Sequence, residues 1–319
     1  MLHLPPSLRQ PFSVRQSSSV RQPLSWLAAL LLAPLVAQPS LAEGVVDQCG
    51  ALRQRGDLPA LREQQRVLAA AGAAEPTPAE AMATAQALLA CGAAQAALEI
   101  LGRSSPAQAD RQDWLLLRWQ AAHAGLHHAQ AVEALSLLAD GDLGRLERLQ
   151  LPVAEAGRSA GEPRQRVALD LLADHLVSLE AHRQAAEVLL ASREPGAATA
   201  ARWGRAALLA SHLPVQERDA ITERALEQAA AAEAWGLVAA LLDQQLAEGV
   251  TDEASRRALE RRLRLSERID DAYGEWLQRR RMVHAAQERR VLLLEGQLRS
   301  PRQDGGHAAP QPLSPLPSP

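Results

Sequence analysis

Three groupings of residues in this chain have the types and spacing that chemistry needs, and each meets an obstacle. Gly157-Arg158-Ser159-Ala160-Gly161 fits the G-x-S-x-G pattern, in which a sharp strand-to-helix turn presents a nucleophilic serine. Helical spacing on both flanks supplies no strand ahead of it, so the segment reads as a loop between helices. His123 and His127 stand four residues apart with His128 beside them, and two imidazoles one helical turn apart can share a metal ion. Gly125 falls between them as a helix end, and Glu133 is the closest acid that follows. The three therefore read as turn histidines in contact with water, with no metal. Cys49 and Cys91 are the only cysteines, and an oxidising compartment favours their pairing. With the first turn at Gly56 they are offset by about six residues, roughly 9 Å along parallel helices and beyond bridging reach. With the turn at Gly50 they become equivalent and a bridge fits. Both readings stay open. No catalytic residue and no cofactor emerges from these groupings, and the expectation is a protein that is not an enzyme.

The elements that carry these residues follow an export signal. Arg9, Arg15 and Arg21 precede the apolar run from Leu24 to Ala37, and Ser40-Leu41-Ala42 puts small residues where a signal peptidase reads. The run is interrupted by Pro34 and is shorter than the roughly 20 residues that span a bilayer. Residues 1–42 are thus predicted to be a cleaved signal peptide. The mature chain would begin at Glu43 with no transmembrane anchor, in the periplasm or an equivalent lumen.

Beyond the signal, composition favours helices. Hydrophobic residues make up 47% of the chain and aromatics only 3%, so the core must be built from Ala and Leu, which suit closely approached helices better than sheets. Apolar spacings of three and four recur, and sustained alternation does not. Thirteen helices are predicted, the seventh over 142–157 and the last over 252–299. Thr77-Pro78-Ala79-Glu80 and Ser105-Pro106-Ala107-Gln108 have the form of capping boxes with proline in the first turn. Asp57 marks another start, and Gly56, Gly92 and Gly125 mark ends.

A repeat runs through the second helix of successive hairpins. Ala97 is followed one turn later by Leu101, Ala131 by Leu135, Ala186 by Leu190 and Val238 by Leu242. The first two alanines are 34 residues apart (131 − 97), and Gly92 and Ala181 stand five positions before Ala97 and Ala186. In these residues the chain resembles a divergent tetratricopeptide-type repeat array. The resemblance implies an all-α fold, a right-handed stack of helical hairpins forming an α-solenoid, and a partner protein held in its concave surface. Later spacings widen to 55 (186 − 131) and 52 (238 − 186), which implies an extra helix or irregular units. A hairpin domain over 43–250 would end in a long basic capping helix over 251–299 and a disordered Pro-rich tail over 300–319.

Charge is divided along the chain: residues 43–250 hold 18 Arg against 27 acids, and 251–303 hold 13 Arg against 9 acids. Acid-base pairs four residues apart, Asp252/Arg256, Glu253/Arg257, Glu260/Arg264 and Glu275/Arg279, suit a solvated helix. The net charge of −3 argues against nucleic acid as a partner. Trp235, Tyr273 and Trp276 beside Arg279, Arg280 and Arg281 combine the residue types of binding hot spots, and they form the candidate partner surface. The apolar stripe within 278–299 is a candidate for self-association. The expected function is an exported, non-catalytic protein-protein interaction scaffold of the bacterial envelope, holding another envelope protein. The alternatives are a helical accessory subunit of a cell-wall or polysaccharide-secretion machine, and an oligomeric structural protein built through the C-terminal helix.

Overall fold

Among the described residues a helix ends in the same way six times, and those six turns organise the fold. The computed structural model describes residues 41–72, 76–153, 164–247, 252–280 and 288–299. The chain divides into residues 1–39, which lie outside the described ones together with nearly all of the expected signal peptide, and residues 40–319, to which everything below refers. The described elements are α1 (Leu41–Arg55), α2 (Leu58–Ala71), α3 (Pro78–Ala90), α4 (Ala94–Leu101), α5 (Arg111–Ala124), α6 (His128–Ala139), α7 (Leu143–Arg148), β1 (Gln150–Val153), β2 (Arg164–Val167), α8 (Ala168–Ser178), α9 (His182–Leu190), α10 (Ala197–Leu209), α11 (Val215–Ala231), α12 (Trp235–Ala247), α13 (Asp252–Arg268), α14 (Ala272–Arg280) and α15 (Glu288–Arg299). The described chain is mostly helical, with one two-stranded sheet.

At each of the six turns one residue takes a left-handed conformation, and the next residue's N–H bonds to a carbonyl five positions back, the Schellman closure. The left-handed residues are Gly56, Gly92, Leu126, Glu180, Glu233 and Asp270. The closing bonds are Asp57 to Leu52, Ala93 to Leu88, His127 to Ala122, Ala181 to Leu176, Ala234 to Ala229 and Asp271 to Ser266, all 2.8–3.1 Å. They join the hairpins α1/α2, α3/α4, α5/α6, α8/α9, α11/α12 and α13/α14. The fifth residue after each turn points inward: Leu61, Ala97, Ala131 and Ala185 are buried, Val238 packs against the core, and Glu275 is buried in the last hairpin. The third repeat position is therefore Ala185, one residue before the alanine chosen from the sequence. Consecutive helices pack on one another, and α1 on α3, α3 on α5, α6 on α8 and α10 on α12 as well.

Two insertions account for the widened spacings. Between the third and fourth hairpins the chain makes α7 and the antiparallel pair β1/β2, with Leu151 opposite Arg166 and Pro152 opposite Gln165. Between the fourth and fifth it makes α10. The helix expected over 142–157 thus stops at Arg148, since Pro152 would lack its N–H and clash in a helix interior.

The first insertion is tied to the second by a buried ionic cluster. Glu147, at the end of α7, accepts from the Ser192 hydroxyl, from the Arg193 amide at 3.0 Å and from Arg202 Nη1 at 3.0 Å. Arg202 also grips Asp170 through Nε at 2.7 Å and Nη2 at 3.0 Å. Burial alone would push the Glu147 carboxyl up, but the Arg193 amide, the Ser192 hydroxyl, the Glu194 amide and Arg202 outweigh it and hold its pKa below the usual range.

The expected single helix over 252–299 is three helices. After Ile269 the chain turns through left-handed Asp270, and the Asp271 carboxylate caps α14 by accepting from Gly274 N at 2.9 Å. Arg262 fixes the turn by donating to Asp271 at 2.8 Å and to Asp243 of α12 at 3.0 Å. Glu275 then binds Arg290 of α15 at 2.7 Å and Arg279 at 2.6 Å.

Candidate functional site

Helices α11 and α13 each carry one kind of charge at helical spacing. Asp219, Glu223 and Glu227 follow one another by one turn on α11, and Arg257, Arg261, Arg264 and Arg268 recur at four, three and four on α13. Such spacing lines one face of a helix. The two rows bound a cavity of about 400 Å³ whose floor includes Leu226, Trp235, Val238, Leu242 and Leu265. A charged trough of about 450 Å³ adjoins it and shares Glu223, Arg261 and Arg264. From Asp219 to Ala230 the groove follows α11 for about 16 Å, three helical turns.

Some of the groove's charges are already spent. Arg261 forks onto Glu223 at 2.6 and 2.8 Å, bridging the two walls. The buried Gln245 of α12 donates beneath them to Asp219 at 2.7 Å and to Glu223 at 2.8 Å. The Arg261 bond, with help from Gln245, outweighs burial and holds the Glu223 carboxyl below its usual pKa, while Glu223 raises that of Arg261. Arg268 lies over the Trp235 ring, 4.5 Å from its centroid, a cation-π contact. Glu227, Glu260 and Arg264 have no hydrogen bond or ion pair among the described residues. The expected Glu260/Arg264 pair is therefore not made, although Glu253–Arg257 at 3.3 Å and Glu275–Arg279 at 2.6 Å are. The side chain of Asp252 is outside the described residues.

The other candidate partner residues lie on different elements. Tyr273 and Trp276 of α14 pack side by side with ring centroids 5.7 Å apart, and Tyr273 is 60% exposed. Trp276 donates to Glu295 of α15 at 3.2 Å, and Arg280 covers its ring at 5.0 Å. Arg279 is held by Glu275 and by Glu267 at 3.3 Å, so it is not a free cation, and Arg281 lies outside the described residues. Trp235 lines the groove, and Tyr273, Trp276 and Arg280 are not among its lining residues.

The histidines behave differently from the sequence reading. His175 of α8, 4% exposed, stands between two of them: its Nε2 is 3.2 Å from His123 Nδ1 and its Nδ1 is 2.9 Å from His128 Nδ1. His123 and His128, both half-buried, are partners of a buried imidazole that the sequence reading did not place beside them. His123 also stacks on the fully buried Trp119. Burial, then the nearby His123 and His128, press the His175 pKa down to about 4. Sequence spacing offered no sign of this cluster because 52 residues separate His123 from His175. Asp174, the neighbouring acid, is engaged by Arg166 at 2.8 Å and Arg205 at 2.6 Å. Among the described residues no set of three or more His, Cys, Asp or Glu side chains could hold a metal ion.

Cys49 and Cys91 are joined by a disulfide with Cα atoms 4.8 Å apart. Gly56 is nevertheless the turn, so the assumption that the two helices stack in register is what fails. The middle of α1 meets the C-terminal end of α3, where Gln65 of α2 also donates to the Cys91 carbonyl at 2.7 Å. The segment Gly157–Gly161 lies outside the described residues. No helix among the described residues is long and apolar enough to cross a membrane.

No protein-family model matches the chain, and comparison with curated proteins finds no similar one.

Proposed function

We propose that the chain is an exported, non-catalytic scaffold of the bacterial envelope, a tetratricopeptide-like α-solenoid that holds another envelope protein in the groove between α11 and α13. One observation carries this reading: an apolar floor with a half-buried tryptophan lies between charged rows in which Glu227, Glu260 and Arg264 lack partners within the described chain. A groove with aromatic and arginine anchors and unspent rim charges is the anatomy of a protein-binding surface. The six identical hairpin closures support the solenoid reading, and stacked hairpins bury one another's apolar faces. Affinity capture from the native envelope tests it. The wild-type chain should retain a partner that the Arg264→Glu variant loses, and equal recovery by both would refute the groove as the site.

A second reading rests on α15, where Leu292 is 67% exposed and Leu293 and Leu298 are also open. Paired with a second copy, that face would make the protein a structural oligomer. Light scattering of the mature chain with and without residues 278–319 separates this from the scaffold.

A further inference from the structure

We infer that the occupant of the α11–α13 groove is an amphipathic helix of a partner protein, basic along the edge that faces α11 and acidic along the edge that faces α13. This inference rests on the scaffold reading and adds the partner's chemistry.

The walls offer an extended chain no main-chain edge to pair with. Strand-like ligands gain affinity by adding main-chain hydrogen bonds to an open sheet edge, and both walls here are helices, whose main-chain groups along their length bond internally. A helix satisfies its backbone within itself and leaves its side chains for the floor and the rim. The groove is about three turns long, so one helix can set apolar residues at i, i+3, i+4 and i+7 onto the floor of Leu226, Trp235, Val238, Leu242 and Leu265.

The rim sets the edges. An evenly acidic helix would meet Glu223, Glu227 and Glu260, and an evenly basic one would meet Arg257, Arg261, Arg264 and Arg268. The Glu223–Arg261 bridge at mid-groove neutralises itself. Over the apolar floor the unpartnered Glu227 on one wall and Arg264 on the other face the occupant, while Glu260, unpartnered on α13, lines the adjoining trough instead. Only a helix with opposite charges on its two edges complements both.

The test uses the full mature chain and three stapled helical peptides of roughly 15 residues, long enough for a stable helix, sharing one Leu stripe. One has Lys on one edge and Glu on the other, one has Glu on both edges, and one has Lys on both. Fluorescence anisotropy should show the mixed-edge peptide binding about fivefold tighter or more, as expected for one or two exposed ion pairs. Glu227→Arg should shift the preference to the all-Glu peptide, and Arg264→Glu to the all-Lys peptide. The double variant should restore the mixed-edge preference, because a helix docked in the reverse direction exchanges its edges. Equal binding of all three peptides, or no binding of any, overturns the inference. Tighter binding by a peptide of residues 288–299 also overturns it, in favour of a second copy of this chain. These outcomes concern the occupant's chemistry alone. The scaffold reading is decided separately by capture of the native partner, which uses none of these peptides.

Discussion

Acidification from pH 7 to pH 5 should destabilise the protein chiefly through His175. In the unfolded chain its imidazole titrates near 6.5, and in the fold near 4, because burial and the neighbouring His123 and His128 disfavour its charged form. Between those values the unfolded state binds the extra proton, so stability falls as pH drops through the window from about 6.5 to about 4 and is unaffected above it. The full shift of about 2.5 pK corresponds to about 3 kcal/mol, of which about 2 kcal/mol is lost by pH 5. His123, lowered by burial and Arg166, adds in the same direction. The loss by pH 5 largely precedes protonation of Glu147, Glu223, Glu275 and Asp271, whose pKa values are depressed. Urea unfolding followed by far-UV circular dichroism at pH 7 and pH 5, for the wild type and His175→Gln, isolates the contribution. The variant should lose about 2 kcal/mol less than the wild type between the two pH values. Identical pH dependence of the two proteins would show that the buried imidazole cluster does not exist as described.

Three further outcomes follow from the packing. Reducing the Cys49–Cys91 bridge, which closes a span of 42 residues, should cost up to about 4 kcal/mol on the chain-entropy account; thermal melting of Cys49→Ser measures it, and an unchanged midpoint would refute the bridge. Arg202→Met strands Glu147 in the buried cluster and should cost about 3–5 kcal/mol, read by urea unfolding; a loss under about 1 kcal/mol would mean the cluster is solvated. Leu126 is 71% exposed in a left-handed turn, so Leu126→Gly should raise stability by about 0.5–1 kcal/mol, and a fall in the melting midpoint would contradict the assigned turn geometry.

What the sequence revealed was local, and what it concealed was long-range. The Thr77/Glu80 capping box is present in full, and Asp57 caps α2 by accepting from Ala60 N at 3.2 Å. Both depend on neighbours within one turn. The second capping box, at Ser105, is not formed: a 3-10 turn over Gln108–Asp110 precedes α5. Hairpin turns at Gly56 and Gly92 were readable because glycine advertises the left-handed conformation. At Glu180 the break was legible but the left-handed residue was not, the turn being assigned to Ala181, and the break at Asp270 was not legible at all, because tertiary packing imposes the same geometry on residues that do not announce it. The break in the C-terminal helix depends on Arg262 reaching both Asp243 and Asp271, a relation across two helices. Trp235, picked out by its chemistry, lines the groove, and the arginine over its ring is Arg268 rather than one of the Arg279–Arg281 run. The acidic row on α11 takes its meaning from α13, whose arginines stand across the groove from it.

Site-specific photo-crosslinking in the native cell tests the central claim most directly. Ala230 lines the groove and is exposed, so a photoreactive amino acid there should form an adduct with a partner polypeptide, and Arg264→Glu in the same chain should abolish it. The same probe at Leu208, 53% exposed on α10, should form none. Adducts of equal yield at both positions, or none at Ala230 in a correctly exported chain, would contradict the groove as the place where this protein holds its partner.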